Sequence, residues 1–396
     1  MIQTWTVSRF RSSPALDLKR LDELPPEQQA AFGELQKDSD FYGLLVPRVA
    51  GGTSIKSVGQ QTAHLFSSLA TPSRLFELDD PAYREDIIDL VLDGILEIEI
   101  GGAFCSGADA FRIVAPQLPD AAEQGRIATL SREALQHAED LATRDTALLA
   151  SALYSYNRIP RTRAWNARFP DAAGVLRAIG AEDLLKRHWI RSEIPPAWIS
   201  WKALVPPVPS PITWKLYVSP RPEHIADAFQ ALVRVLAEIP GAQMKIGMDA
   251  AGLLRPDKIV AYFSSRDELD LAARALAMEL KGCPAHGVPF TASFGTPASS
   301  PADRAPSRRP GGETAFDDGL LSWGIDPPDS ERPLSWLDRE SWRLWIAKSL
   351  ATAMVIAKGA QKPVVEPWRF AVERVRRQGV DVDTWTPSDT LWRSVA

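Results

Sequence analysis

The stretch "TWKLYVSP", residues 213–220, reads as a β-strand. Side chains along a strand alternate between faces, so Trp214, Leu216 and Val218 fall on one side and Lys215, Tyr217 and Ser219 on the other. Two further stretches repeat the pattern. "AQMKIGMD", residues 242–249, sets Met244 and Ile246 against Lys245 and Gly247. "KIVAYFSS", residues 258–265, sets Ile259, Ala261 and Phe263 against Lys258, Val260 and Tyr262. Helical spacing fills the gaps: Ile225, Phe229, Leu232, Val233 and Leu236 within 222–238, and a second helix over 267–280. The order β-α-β-β-α predicts an α+β layer with helices on one sheet face.

If the three strands share one sheet, Lys215, Tyr217, Lys245 and Tyr262 stand together on its polar face. Arg255, between the second and third strands, leans over its end. No acid lies on the strands themselves, so the group predicts an anion site. A solvated edge rich in lysine is the plain alternative.

Working outward, "EIPPAWISWKALVPPVPSPI" is Pro-rich and predicts a linker or an extended crossing. It sets a boundary between a mainly helical region, 1–205, and the α+β domain, 206–396. In the first, "LPPEQQAAFGELQ" and "DPAYREDIIDLVLDG" predict helices that open on proline. "ILEIEIGGAFCSG" predicts a small hairpin, wing-like in outline. "LSREALQHAEDLATRDTALLASALYSYNR" predicts one or two amphipathic helices. Its 205 residues are assigned to recognition of a peptide or partner. Residues 296–319 are Pro/Ser/Gly-rich and predict a mobile loop. The C-terminal stretch is helical and Trp-rich, with Arg343 between two tryptophans as a further phosphate clamp or, equally, an exposed arginine stacked on Trp342 or Trp345. "RVRRQG" near Arg374 predicts a solvated helix end.

Composition excludes several classes. The 396 residues are 45% hydrophobic and 24% charged, with a formal net charge of −5. That supplies a sizeable core but no basic field for nucleic acid. Two cysteines and five histidines, widely scattered, offer neither a disulfide framework nor a metal cluster. The thiol usage predicts a reducing cytoplasm. No stretch predicts a signal peptide or a membrane span.

"WKLYVSPRPEHIADAFQALVRVL", "MKIGMD" and "LLRPDKIVAYFSS" together resemble the core of phosphothreonine lyases. They resemble more closely the related Hop-type effector-like family, which includes the lyase subunits of class V lanthipeptide synthetases. The overlap covers residues 210–280. The resemblance implies β-elimination of phosphate from phosphoserine or phosphothreonine, giving dehydroalanine or dehydrobutyrine. It implies Lys245 as the base that removes the Cα proton, Lys215 as stabiliser of enolate or phosphate, and Arg255 and Tyr262 as phosphate holders. Tyr217 occupies the place of the acid histidine, and neighbouring cations are expected to lower its pKa and that of Lys245. Apart from the resemblance, His286 in "CPAHGVPFTASFG" is a candidate substitute acid, against the plain reading of a structural or solvated loop histidine. No cofactor or metal is implied. The implied partners are a phosphorylated precursor peptide and a separate Ser/Thr kinase, because kinase motifs are absent here. Two other readings compete: a non-catalytic peptide-binding subunit, and a host-directed effector.

Overall fold

The computed structural model describes residues 4–49, 55–76, 78–115, 125–194, 197–210, 212–294, 319–327, 340–361 and 365–387. The fold is α+β. Its centre is a seven-stranded antiparallel sheet. The strands are β1 (Trp189–Ile194), β2 (Trp198–Ala203), β3 (Trp214–Val218), β4 (Gln243–Gly247), β5 (Ile259–Phe263), β6 (Ala292–Ser293) and β7 (Leu321–Ile325). Their spatial order is β6-β7-β3-β5-β4-β2-β1. The helices that position the site are α1 (Arg126–Asp140), α2 (Thr146–Ser155), α3 (Ile225–Leu236), α4 (Arg266–Glu279), α5 (Trp342–Gly359) and α6 (Pro367–Arg377).

The three strands read from alternation do share one sheet. β5 lies between β3 and β4, with Lys215 opposite Tyr262 and Lys245 opposite Val260. α3 and α4 cover one face. Ile225, Phe229, Leu232, Val233 and Leu236 of α3 are buried there, at the spacing expected of an amphipathic helix. α4 starts on a capping box: Ser265 accepts from the Glu268 backbone, and Glu268 reaches back to the N-cap backbone.

The division expected at residues 205/206 does not follow the packing. The Pro-rich seam contributes β2 and the last two residues of β1, and both strands join the same sheet through β4. Ile199 and Trp201 of that seam, with Trp189 just before it, bury themselves on the helix-covered face, and this holds the strands in place despite the nearby prolines. One core gathers buried residues between Phe169 and Ile325. The other combines residues from the first 153 with Phe290 and the C-terminal helices α5 and α6. The start of the chain is also richer in strands than expected, because short runs such as Phe41–Pro47 pair into two small sheets. The hairpin forms as read: Leu96–Ile100 pairs with Ala103–Cys105 across Gly101 and Gly102, both at positive φ. Residues 296–318 of the expected loop lie outside the described residues.

Arg374 is not solvated. It is 4% exposed and bonds Asp89 and Asp93, tying α6 to the helix Pro81–Leu92. Among the described residues no helix is long and apolar enough to cross a membrane.

Candidate functional site

The two cores meet over the polar face of the sheet. Gly324 of β7 sits beside Lys215, and a Cβ there would meet the Trp342 ring at 2.9 Å. That close approach lets the first turn of α5 lie on β7 and carries Ser341 and Arg343 over the strands. From the other side α2 brings Tyr154. Just beyond α2, Asn157 adopts a left-handed conformation (φ 65°) and donates to the carbonyls of His286 and Gly287. This clasp fixes the end of α2 against the sheet.

The result is a cavity of about 70 Å³, room for a few waters or one phosphoryl-sized group. Lys215, Tyr217, Lys245, Tyr262 and Arg343 line it, so five of the six residues singled out from sequence converge. Arg255 does not reach the cavity wall. It lies behind Trp198, 4.8 Å from that ring, and makes a two-pronged bond to Asp257 at 2.8 and 2.9 Å. Tyr154, Trp198, Asp257 and Ser341 line the cavity without having been singled out.

The site is not free of acids. The absence of acid from the strands misleads, because two carboxylates arrive from loops. Asp257 lies between Arg255 and β5, and its Oδ2 stands 2.9 Å from Arg343 Nη1. Burial pushes its pKa up, but Arg343 and then Arg255 outweigh burial and hold it well below the usual carboxylate range. Asp326 follows β7 and pairs with Lys215 at 2.5 Å. Its other oxygen accepts from the Trp342 backbone at the start of α5. Arg343 is 1% exposed and donates further to the carbonyls of Pro289 and Tyr154. Lys215, Arg255 and Arg343 therefore already hold carboxylates.

Lys245 differs. No carboxylate lies within ion-pair reach of it among the described residues. Its ammonium sits over the Trp198 ring at 4.2 Å and the Tyr262 ring at 5.5 Å. Burial first, and Lys215 second, lower its pKa to about 8, the direction expected from sequence. At pH 7 roughly one molecule in ten then carries the neutral amine a base requires. Charged Lys245 costs stability below pH 8, and that cost fades as pH rises toward 10.5, the ordinary value.

Tyr217 contradicts its expectation. Cations were to lower its pKa; instead burial pushes it well above the ordinary value, and Asp326 pushes it further, against a smaller opposing effect of Arg343. Tyr262 moves in the same direction for the same leading reasons. Both therefore keep their protons throughout the neutral range. Neither hydroxyl has a hydrogen-bond partner among the described residues, and both rings line the cavity.

His286 stands outside the cavity lining. Its Nε2 donates to the Asn157 carbonyl at 2.6 Å, which leaves Nδ1 to accept from Lys258 at 2.7 Å. Burial and the Lys258 charge depress its pKa to about 3. It is held neutral and is no substitute acid. Lys258 is itself fully buried, donates also to the Pro220 carbonyl, and is lowered by burial to about 7.

No family model matches the chain, and no curated protein matches it. Among solved structures, an effector protein from Pseudomonas syringae pv. tomato strain DC3000 aligns at 10% identity and TM-score 0.44. It covers 67% of this chain and 98% of its own. An effector protein from Pseudomonas syringae pv. syringae strain 61 aligns at 13% identity and TM-score 0.35, over 66% of this chain and 98% of its own.

Proposed function

We propose that the chain is a carbon–oxygen lyase. It would remove phosphate from phosphoserine or phosphothreonine in a peptide and leave dehydroalanine or dehydrobutyrine, as in lanthipeptide biosynthesis. The observation that carries this reading is Lys245: a half-buried amine with a pKa of about 8 that, among the described residues, has no acid within ion-pair reach and stands beside two tyrosine hydroxyls without hydrogen-bond partners. An anion with several acceptor oxygens satisfies all three groups at once.

In this reading neutral Lys245 takes the Cα proton. The electron pair forms the Cα–Cβ double bond, and the Cβ–O bond breaks with phosphate as leaving group. Lys215 faces the charge that develops on the substrate carbonyl or on the phosphate. The proton taken from Cα equals the one that the departing phosphate needs to leave as hydrogen phosphate, so the reaction consumes no net proton. Tyr217 hydrogen-bonds the leaving oxygen. Its raised pKa makes it a donor that holds its proton until the phosphate becomes basic enough to take it, and the proton that Lys245 took from Cα then returns to the Tyr217 oxygen and restores both groups. Tyr262 and Arg343 hold the remaining oxygens, and Arg255 acts through Asp257. The peptide would come from a separate Ser/Thr kinase acting in the same cytoplasm.

The decisive experiment incubates the protein with phosphoserine and phosphothreonine peptides and follows loss of phosphoric acid by mass spectrometry. Tyr217→Phe keeps ring and packing and removes one donor. It is expected to lower kcat by about 10²–10³-fold with little change in KM, the usual loss for one transition-state donor. A Phe variant as fast as the parent takes Tyr217 out of the mechanism.

A second reading is a non-catalytic phosphopeptide-binding subunit. One observation favours it: among the described residues, Lys245, which the reaction needs as the base, is the cavity-lining group brought near neutrality, while both tyrosines are raised and His286 is locked neutral outside the cavity. Tight binding of phosphopeptides without any elimination selects this reading.

A further inference from the structure

The polar face of the sheet extends beyond the cavity. Lys245 stands opposite Ser200 of β2, and Ser200 opposite Ser192 of β1, with the two hydroxyl oxygens 2.8 Å apart. Alternation places Trp198, Lys202, Ile190 and Ile194 on this same face. α5 roofs the β7 end. The β1 end stays open: Ile190 is 61% and Ile194 51% exposed, and Lys202 is exposed as well. β1 is the outermost strand.

Among the described residues, charge on the strands of this open half has one sign. Lys202 has no carboxylate within ion-pair reach among the described residues, and neither has Lys245. The acid of β1, Glu193, alternates to the other face, where it lies 3.9 Å from Arg191. Trp201 pairs with Met244, so Lys202 falls beside Gln243, one strand across and two residues along from Lys245. Sheet geometry makes that separation about 8 Å between Cα atoms.

We propose that this half-face is the track for the peptide flanking the phosphorylated residue, and that Lys202 selects an acidic side chain two positions away from it. Two residues of extended chain span about 7 Å, which matches the distance from Lys245 to Lys202. Ile190 and Ile194 supply apolar surface farther out. An acidic peptide complements an open half-face that, among the described residues, carries two unneutralised lysines and no carboxylate of its own strands. The inference rests on the cavity holding the phosphate, and it adds the substrate's sequence preference.

The test measures binding, so that it does not depend on turnover. Short fluorescein-labelled peptides carry a phosphonate analogue of phosphothreonine, whose bridging oxygen is a CH₂ group and which cannot eliminate. Asp, Ala or Lys is placed two residues before or two after it. On one of the two sides the Asp peptide should bind about three- to tenfold more tightly than the Lys peptide, the scale of exposed charge pairs. The preference should vanish at about 1 M salt, where the Debye length is about 3 Å. Lys202→Ala should remove it and Lys202→Glu should invert it. Equal binding of Asp and Lys peptides on both sides overturns the track, as does a preference that survives Lys202→Glu. If phosphothreonine peptides are eliminated with no such preference, the track alone falls. If none of the analogues binds, the phosphate cavity falls with it.

Discussion

Lys245→Ala is expected to reduce phosphate elimination about 10⁴-fold, or to the detection limit, in a protein that stays folded. The side chain makes no hydrogen bond among the described residues. Its removal costs only contacts with the Trp198 and Tyr262 rings, about 0.5–1 kcal/mol, and relieves the burial of a charge. Lys245→Arg separates chemistry from binding. Arginine keeps the charge and cannot serve as a base at neutral pH, so phosphopeptide affinity should survive while turnover does not. In the parent, turnover should rise with pH and level off above about 8, because the neutral amine is the active form and its pKa is about 8. Near-parental phosphate release from a folded Lys245→Ala protein removes this residue as the base. A rate that does not rise between pH 6 and 9 contradicts its assignment equally.

Asp257→Ala should be the most destabilising single change at the site, by about 3–5 kcal/mol. Asp257 is 4% exposed and holds Arg255 and Arg343, the second of them 1% exposed. Removing the carboxylate leaves two guanidinium groups in the interior without their counter-ion, and Tyr154 without a partner for its hydroxyl proton. Urea unfolding followed by tryptophan fluorescence measures the loss. A double change, Asp257→Ala with Arg255→Ala, should recover part of it, because one unpaired charge goes with the carboxylate. A single variant within 1 kcal/mol of the parent, by the same scale of buried pairs, shows that solvent already neutralises these arginines.

The three central strands and the two helices on their far face were legible because each obeys one local rule. Strand side chains alternate, and the apolar positions of α3 recur every three or four residues. That alone placed Lys215, Tyr217, Lys245 and Tyr262 on a common face, and the observed register agrees. Arg343 was visible only as a basic residue between tryptophans. Its burial against Asp257 depends on the helix that carries it meeting a loop 86 positions earlier in the chain.

The remainder required the tertiary structure, for a definite physical reason. Alternation says which face a residue takes but nothing about what loops bring to it. Asp257 and Asp326 come from outside the strands and neutralise Lys215, Arg255 and Arg343, leaving Lys245 without a carboxylate among the described residues. The pKa of Tyr217 reversed its expected direction because its burial depends on α5, α2 and the segment around Val288 closing over β3. The Pro-rich seam became strands because Ile199 and Trp201 find an apolar layer to bury in, which no local propensity foretells. Local pattern by itself thus determined the three central strands, their polar face and the residues those strands place on it. Long-range packing decided which of those residues keep a free charge or a free hydroxyl, because desolvation and pairing are properties of the closed interior.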